Sequence, residues 1–361
     1  MSPHPVEVAW FGALCDDDYE YLGVPETHLA SSWTHCSDIV RAADRNGFDS
    51  VLLPSGYDLG IDSTAFAAAI ATHTDNIHLL LAVRIGEMWL PQLARQLASI
   101  DQFANGRLTI NVISSDMPGE TLASGPRYQR TREWMRGLRS LLSGEVLEMQ
   151  GDFVELSVAP PRATTLNGQC PPLYFGGFSE DAKDVAASEA DVFLTWPDTV
   201  ASVSSTVEEM QNRAAAYDRE VICGLRTHVI VRETEDEARA AADRLISRLD
   251  DEAGAAIRGK SLDSASVGVQ RQAALRESAT DDGYAEDHLW TGIGRARSGA
   301  GAAIVGDPDQ VLAKLQAYEE AGIGAFILSG YPHREECDLF AEHVLPRMNH
   351  SALKPRWAMS H

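Results

Sequence analysis

The chain has 361 residues, 44% of them hydrophobic, and a formal net charge of −23 at pH 7; this length fits two domains or one large barrel with a sizeable core. So large an acidic excess argues against nucleic acid or an anionic membrane as partner, and no apolar run approaches the roughly 20 residues of a membrane span. Met1-Ser2-Pro3-His4 lacks the basic and apolar regions of a signal peptide, and the five cysteines (Cys15, Cys36, Cys170, Cys223, Cys337) have no paired spacing, so the expectation is a cytoplasmic protein without disulfides or a metal site.

In chain order, Val6 to Phe11 reads as a strand, and Asp16-Asp17-Asp18 follows it. Adjacent carboxylates can bind a metal, but no second cluster completes a coordination sphere, so a solvated loop is expected. A helix from Thr34 to Asn46 stops at Gly47 and leads into a strand from Phe48 to Pro54. Helix Ser63 to Thr72, strand Ile77 to Val83, helix Pro91 to Phe103 and strand Leu108 to Ile113 come next. This alternation is the mark of a parallel sheet with crossover helices.

A helix from Tyr128 to Ser143 carries Trp134, Met135, Leu138, Leu141 and Leu142 on a core stripe, and Glu145 to Ser157 reads as an inserted hairpin. Leu173-Tyr174-Phe175, Val192 to Trp196, Ile222 to Val231 and Phe326-Ile327-Leu328 supply the fifth to eighth strands. The prediction is an α/β fold, a (β/α)8 TIM barrel forming a single domain over residues 1–361, with its active site at the C-terminal strand ends. A polar insertion of residues 250–301 separates strands seven and eight. A barrel loop of that length is expected to be a mobile lid, or else disordered.

Candidate functional residues gather at strand ends. Arg226 and His228 share one face of strand seven, about 7 Å apart. A fixed cation beside an imidazole in a buried strand is costly unless an anion meets them. Arg297 at the exit of the insertion, and Tyr331 with His333 after strand eight, offer the same chemistry, with Trp196 nearby. Together they predict one anion-binding pocket. If Arg226 were instead structural, it should pair with a buried carboxylate.

The turn Gly176-Gly177-Phe178-Ser179 joins a strand to a helix N-terminus, which suits phosphate; an ordinary strand-to-helix turn is the other reading. Tyr128 could reach the same phosphate, and Asn111, Ser114 and Ser115 could face a ring system. No Walker lysine follows the turn and no GxGxxG with a downstream acid is present.

With these residues assembled, the chain resembles the bacterial-luciferase-like flavin monooxygenases, most closely the alkanesulfonate monooxygenases. The likeness rests on Val51 to Gly56, Asn105-Gly106-Arg107, Pro171 to Gly177, Leu194-Thr195-Trp196, Leu225 to Thr234, Arg297 with Gly299-Ala300-Gly301, and Leu328 to His333. The resemblance implies reduced FMN from a separate NAD(P)H-dependent FMN reductase, O2 as co-substrate, and oxygenation of a small organosulfonate to sulfite and an aldehyde. It implies that Arg226 and Arg297 contact the sulfonate oxygens or the flavin peroxide, that His228 and Tyr331 hydrogen-bond the same groups or move protons, and that Trp196 and His333 form walls. A homodimer or homotetramer is expected, as is a non-prolyl cis peptide near Ala82-Val83. Two segments depart from the family: Tyr57 and Leu59 stand where an arginine and a cysteine are usual, and Gly12-Ala13-Leu14-Cys15 replaces a Pro-Thr-His. The natural substrate therefore stays open, including a sulfone, an amine or a ketone. So does a deazaflavin-dependent reductase of the same barrel.

Overall fold

A computed structural model describes residues 5–56, 60–117, 119–259 and 266–353; Tyr57 and Leu59 lie outside these. Eight strands close into an all-parallel barrel: β1 (Glu7–Phe11), β2 (Ser50–Leu53), β3 (His78–Arg84), β4 (Leu108–Ile113), β5 (Leu173–Gly176), β6 (Val192–Thr195), β7 (Ile222–Val231) and β8 (Ile323–Ser329). Each pairs with its sequence neighbour, and β8 returns to β1 through Glu7↔Ala325 and Ala9↔Ile327. Crossover helices α1 (Trp33–Arg45), α2 (Ser63–Ile70), α3 (Leu90–Phe103), α4 (Ser124–Leu142), α5 (Glu180–Glu189) and α6 (Val200–Ala215) cover the outside. The expected hairpin forms from Leu147–Gln150 and Glu155–Val158.

Strand alternation sorts side chains into two sets. Outward residues such as Val8, Trp10, Val51, Leu79, Leu81, Ile110, Phe175, Leu225 and Phe326 make the apolar layer under the helices. Inward residues fill the lumen, whose middle is Ala9, Leu52, Leu80, Tyr174, Val192 and Ile327. Both sets are buried, so the strands read as continuous apolar runs, as both faces of a parallel sheet should.

The insertion is largely structured. After α7 (Glu235–Ile246) come α8 (Asp251–Gly259) and α9 (Val267–Glu277), then a small antiparallel pair, Tyr284–Glu286 with Leu289–Trp290. Strand Ala303–Gly306 then lies parallel to the second half of β7, with Ala303 opposite His228. Gln272 ties this layer down: its amide donates to Pro197 O at 2.7 Å and its oxygen accepts from Gly301 N–H at 2.9 Å. The chain re-enters the barrel through α10 (Pro308–Glu320) and leaves β8 into α11 (His333–His343). Among the described residues no helix is long and apolar enough to cross a membrane, and no cluster of side chains could hold a metal ion.

The expected cis peptide near Ala82-Val83 is not found; among the described residues the cis bond is Tyr331–Pro332. There β3 runs on in regular register with β4 from Leu79 to Arg84, so the ladder holds that segment extended.

Candidate active site

The C-terminal mouth of the barrel brings together Arg226, His228, Arg297, Tyr331, His333 and Phe11. Phe11 ends β1 facing inward; the Arg226 and Arg297 guanidinium carbons lie 4.5 and 5.4 Å from its centroid. The His333 ring centre lies 5.4 Å from it. Tyr331 packs between the imidazoles, 5.1 Å from His228 and 4.9 Å from His333. Register explains the meeting: Arg226 sits opposite Ile327 and His228 opposite Ser329 in the β7–β8 ladder, so all four point inward at the top of the lumen.

The polar atoms divide into satisfied and unsatisfied. Arg226 Nη1 donates to Thr227 O at 2.8 Å, while its Nη2 is buried without a partner. His228 Nδ1 bonds Ser329 Oγ at 2.8 Å, the Ala300 backbone is a further hydrogen-bonding neighbour of the ring, and Nε2 has no partner in good geometry among the described residues. His333 uses Nδ1 on Asp18 at 2.9 Å and likewise leaves Nε2 unpartnered. Each such atom costs about 1–3 kcal/mol if nothing meets it. Among the described residues these three atoms, one guanidinium donor and two imidazole nitrogens whose roles follow from their tautomers, are left over in one place, which suits an external polar group. Arg226 has no carboxylate partner among the described residues, so the reading in which it ties the barrel together fails.

Electrostatics point the same way. Burial and neighbouring Arg297 push Arg226 down to about 9, so it stays charged near neutrality. Burial, then Arg226, Arg297 and His333, hold His228 well below its ordinary range, leaving it a neutral imidazole. Arg297 Nη1 donates to Asp17 Oδ2 at 2.8 Å and to Tyr331 OH at 2.6 Å. Burial opposes its charge, yet Tyr331 and Asp17 outweigh that and raise it. Burial raises Tyr331, keeping it a phenol.

The acidic loop is not simply solvated. Asp16 is exposed, but Asp18 is buried and Asp17 half-buried. Asp18 Oδ1 accepts from His333 N–H at 3.0 Å as well as facing its Nδ1, and Oδ2 meets His35 Nε2 at 2.8 Å. Burial disfavours its charge, but His333 and His35 more than compensate and hold the carboxyl low. Phe11, Asp17, Asp18 and Ser329 are thus site residues missed in the sequence. Their signal was position: all lie at or just past the end of a barrel strand, where such folds place function. In the altered loop Cys15 is half-buried, its thiol pushed up to about 12 chiefly by burial, so it is no nucleophile.

Trp196 stands across the mouth, 5.7 Å from Phe178, and a Cβ on Gly299 would sit 3.7 Å from its ring. The segment bearing Arg297 therefore lies over Trp196. At the strand-end turn Ser179 caps α5 by accepting from Ala182 N–H at 3.2 Å. A Cβ on Gly177 would come within 2.6 Å of Ala182 Cβ and 3.6 Å of Tyr128 OH, so the hydroxyl and the bare backbone face one cradle. Asn111 points into the lumen half-buried, and Ser115 Oγ is buried without a partner. Ser114 differs, because its hydroxyl is taken by Thr131 at 2.5 Å and turns toward α4.

Comparison with known proteins bears on the family and the fold. The chain is 60% identical over 360 residues to a sulfoquinovose monooxygenase of Novosphingobium aromaticivorans, covering 98% of this chain and 99% of that protein. It is 49% identical over 350 residues to a sulfoquinovose monooxygenase of Agrobacterium fabrum, covering 96% and 91%. Among solved structures, a riboflavin lyase with modified FMN and riboflavin superposes with TM-score 0.79 at 16% identity, over 98% of this chain and 94% of that one, which speaks to the fold alone. Residues 21–325 match the luciferase-like monooxygenase family, and the chain belongs to it.

Proposed function

We propose that the chain is a flavin-dependent monooxygenase that takes reduced FMN from a separate NAD(P)H-dependent reductase and uses O2 to cleave a sulfonate, with sulfoquinovose as substrate. The observation that carries this reading is the set of buried atoms Arg226 Nη2, His228 Nε2 and His333 Nε2, without a partner among the described residues, beside the second guanidinium of Arg297. A sulfonate has three oxygens and one charge, which that set suits, and both curated relatives bear the name of a sulfonated sugar.

In the overall reaction the carbon bearing the sulfonate becomes an aldehyde and bisulfite leaves. One oxygen atom of O2 enters the aldehyde and the other becomes water. Bound reduced FMN would supply the two electrons. Tyr128 and the turn Gly176-Gly177-Phe178-Ser179 would hold its phosphate, and Asn111 and Ser115 would line the ring side. Arg226 and Arg297 orient the sulfonate through planar donors that fit its oxygens. His228, neutral and buried, is placed to accept or relay a proton, and Tyr331 holds its phenolic proton beside Arg297. Trp196, Phe178 and the segment over them exclude water. A homodimer or homotetramer is part of the proposal, and light scattering checks it.

The test is sulfite release from sulfoquinovose and from alkanesulfonates of several lengths, with an FMN reductase, NADH and O2 present. Sulfite and a stoichiometric aldehyde from sulfoquinovose are expected. No sulfite from any sulfonate, with FMN reduced and O2 consumed, would overturn the reading.

A further inference from the structure

A carboxylate inside an anion pocket needs a reason. Asp17 places Oδ2 on Arg297 Nη1 at 2.8 Å, and Arg297 shares that same nitrogen with Tyr331 OH at 2.6 Å. The other oxygen, Asp17 Oδ1, is buried and meets no donor among the described residues. A carboxylate whose only task was to anchor Arg297 would engage the guanidinium fork with both oxygens. Here one oxygen anchors and the other is left over, although a buried acceptor without a donor is unfavourable. The charge is also close enough to act on the pocket cation, since Asp17 is one of the groups that perturb Arg226.

For a substrate made only of a sulfonate and an alkyl chain, this arrangement is a handicap. The carboxylate repels the sulfonate, and the alkyl chain gives Oδ1 nothing. A substrate with hydroxyl groups beside its sulfonate reverses both effects, because an O–H donates to Oδ1 and a hydrogen bond to a charged acceptor is a strong one. The altered β1 loop, Gly12-Ala13-Leu14-Cys15, leads directly into this aspartate, so the departure from the alkanesulfonate pattern and the stray oxygen fall in one segment.

We propose that Asp17 is a specificity residue: Oδ2 holds Arg297 in place while Oδ1 accepts a hydroxyl of the substrate, so that the site selects a polyhydroxylated sulfonate over an alkanesulfonate. This rests on the sulfonate reading above. It adds the residue that reads the substrate's hydroxyls. The principle is that a site built around a hydroxyl discriminates strongly against analogues lacking one, because its polar group is then left unpaired.

The experiment compares sulfoquinovose with hexane-1-sulfonate, a chain of matched length without hydroxyls, on wild type, Asp17→Ala, the isosteric Asp17→Asn and Arg297→Ala. Dissociation constants come from calorimetry on the flavin-free protein, and kcat/KM from sulfite release; thermal melts verify folding. Asp17→Ala should weaken sulfoquinovose by about 10²-fold, the worth of a hydrogen bond to a charged group. Hexane-1-sulfonate should lose much less, within about threefold, because it forfeits only part of the anchoring of Arg297, which Tyr331 still holds. Asp17→Asn keeps an acceptor oxygen and should fall between. Arg297→Ala should weaken both ligands together, the signature of a lost sulfonate contact. Equal losses for both ligands in Asp17→Ala and Asp17→Asn would overturn the inference, reducing Asp17 to an anchor for Arg297. Wild type that binds neither sulfonate would overturn the sulfonate reading, and this inference with it.

Discussion

The two ends of the barrel lumen both hold buried ionisable groups and treat them in opposite ways. At the closed end Glu7 faces inward from β1 and accepts from Tyr174 OH at 2.6 Å, with Asp49 nearby and the C-terminal stretch crossing beneath. No cation pairs with it among the described residues, and burial pushes its carboxyl up to about 7. The charge there is suppressed. At the open end two guanidinium groups keep their charge, one of them paired with Asp17, and hydrogen-bonding atoms are left unused among the described residues. Burial alone therefore does not mark a functional site. What marks it is buried charge that is retained together with hydrogen-bonding atoms that nothing in the chain satisfies.

Substitutions at each end can break this contrast. The largest effect is expected from Arg226→Ala, which should cut kcat/KM by 10²–10³, typical of losing one preorganised charge-stabilising donor. The melting temperature should move by no more than a few degrees, because no carboxylate is stranded and the stacking on Phe11 is worth only about 1–2 kcal/mol. Arg226→Lys should recover little, since an ammonium cannot reproduce the planar fork. A collapse in melting temperature would show that Arg226 belongs to the scaffold.

Glu7→Gln at the closed end should leave turnover unchanged and alter only the pH dependence of stability. Below pH 4.5, the ordinary value for Glu, the acid is protonated folded or unfolded; between 4.5 and about 7 only the unfolded chain releases the proton, and above about 7 both do. Wild-type stability should thus fall across that window and then level off. Relative to Glu7→Gln the loss should be about 3 kcal/mol at about 1.4 kcal/mol per pH unit. Parallel melting curves for the two proteins from pH 4 to 8 would contradict the assignment. A smaller change, about tenfold in kcat/KM, is expected for Tyr331→Phe, which removes one acceptor from Arg297 but leaves Asp17. A change below twofold would show that Asp17 alone fixes Arg297.

Much of this was legible in the chain. Alternating strands and helices gave the barrel, and the pairing of Arg226 with His228 on one face followed from strand periodicity. Less legible was anything that depended on distant partners. Asp18 meets His333 across 315 positions, so three adjacent acids looked like a solvated loop. Ser114 seemed as available as Ser115, because which hydroxyl turns toward α4 depends on the position of Thr131. The insertion looked polar and shapeless because its order rests on contacts such as Gln272 with Pro197, which leave no local periodicity.

The most direct measurement is a crystal structure of the protein with sulfoquinovose bound. The sulfonate should lie within hydrogen-bond distance of Arg226 Nη2 and against His228 Nε2 and His333 Nε2, which are among the buried atoms without a partner among the described residues. A sulfonate bound elsewhere, with those three atoms still unpartnered or bridged to other protein groups, would contradict the account.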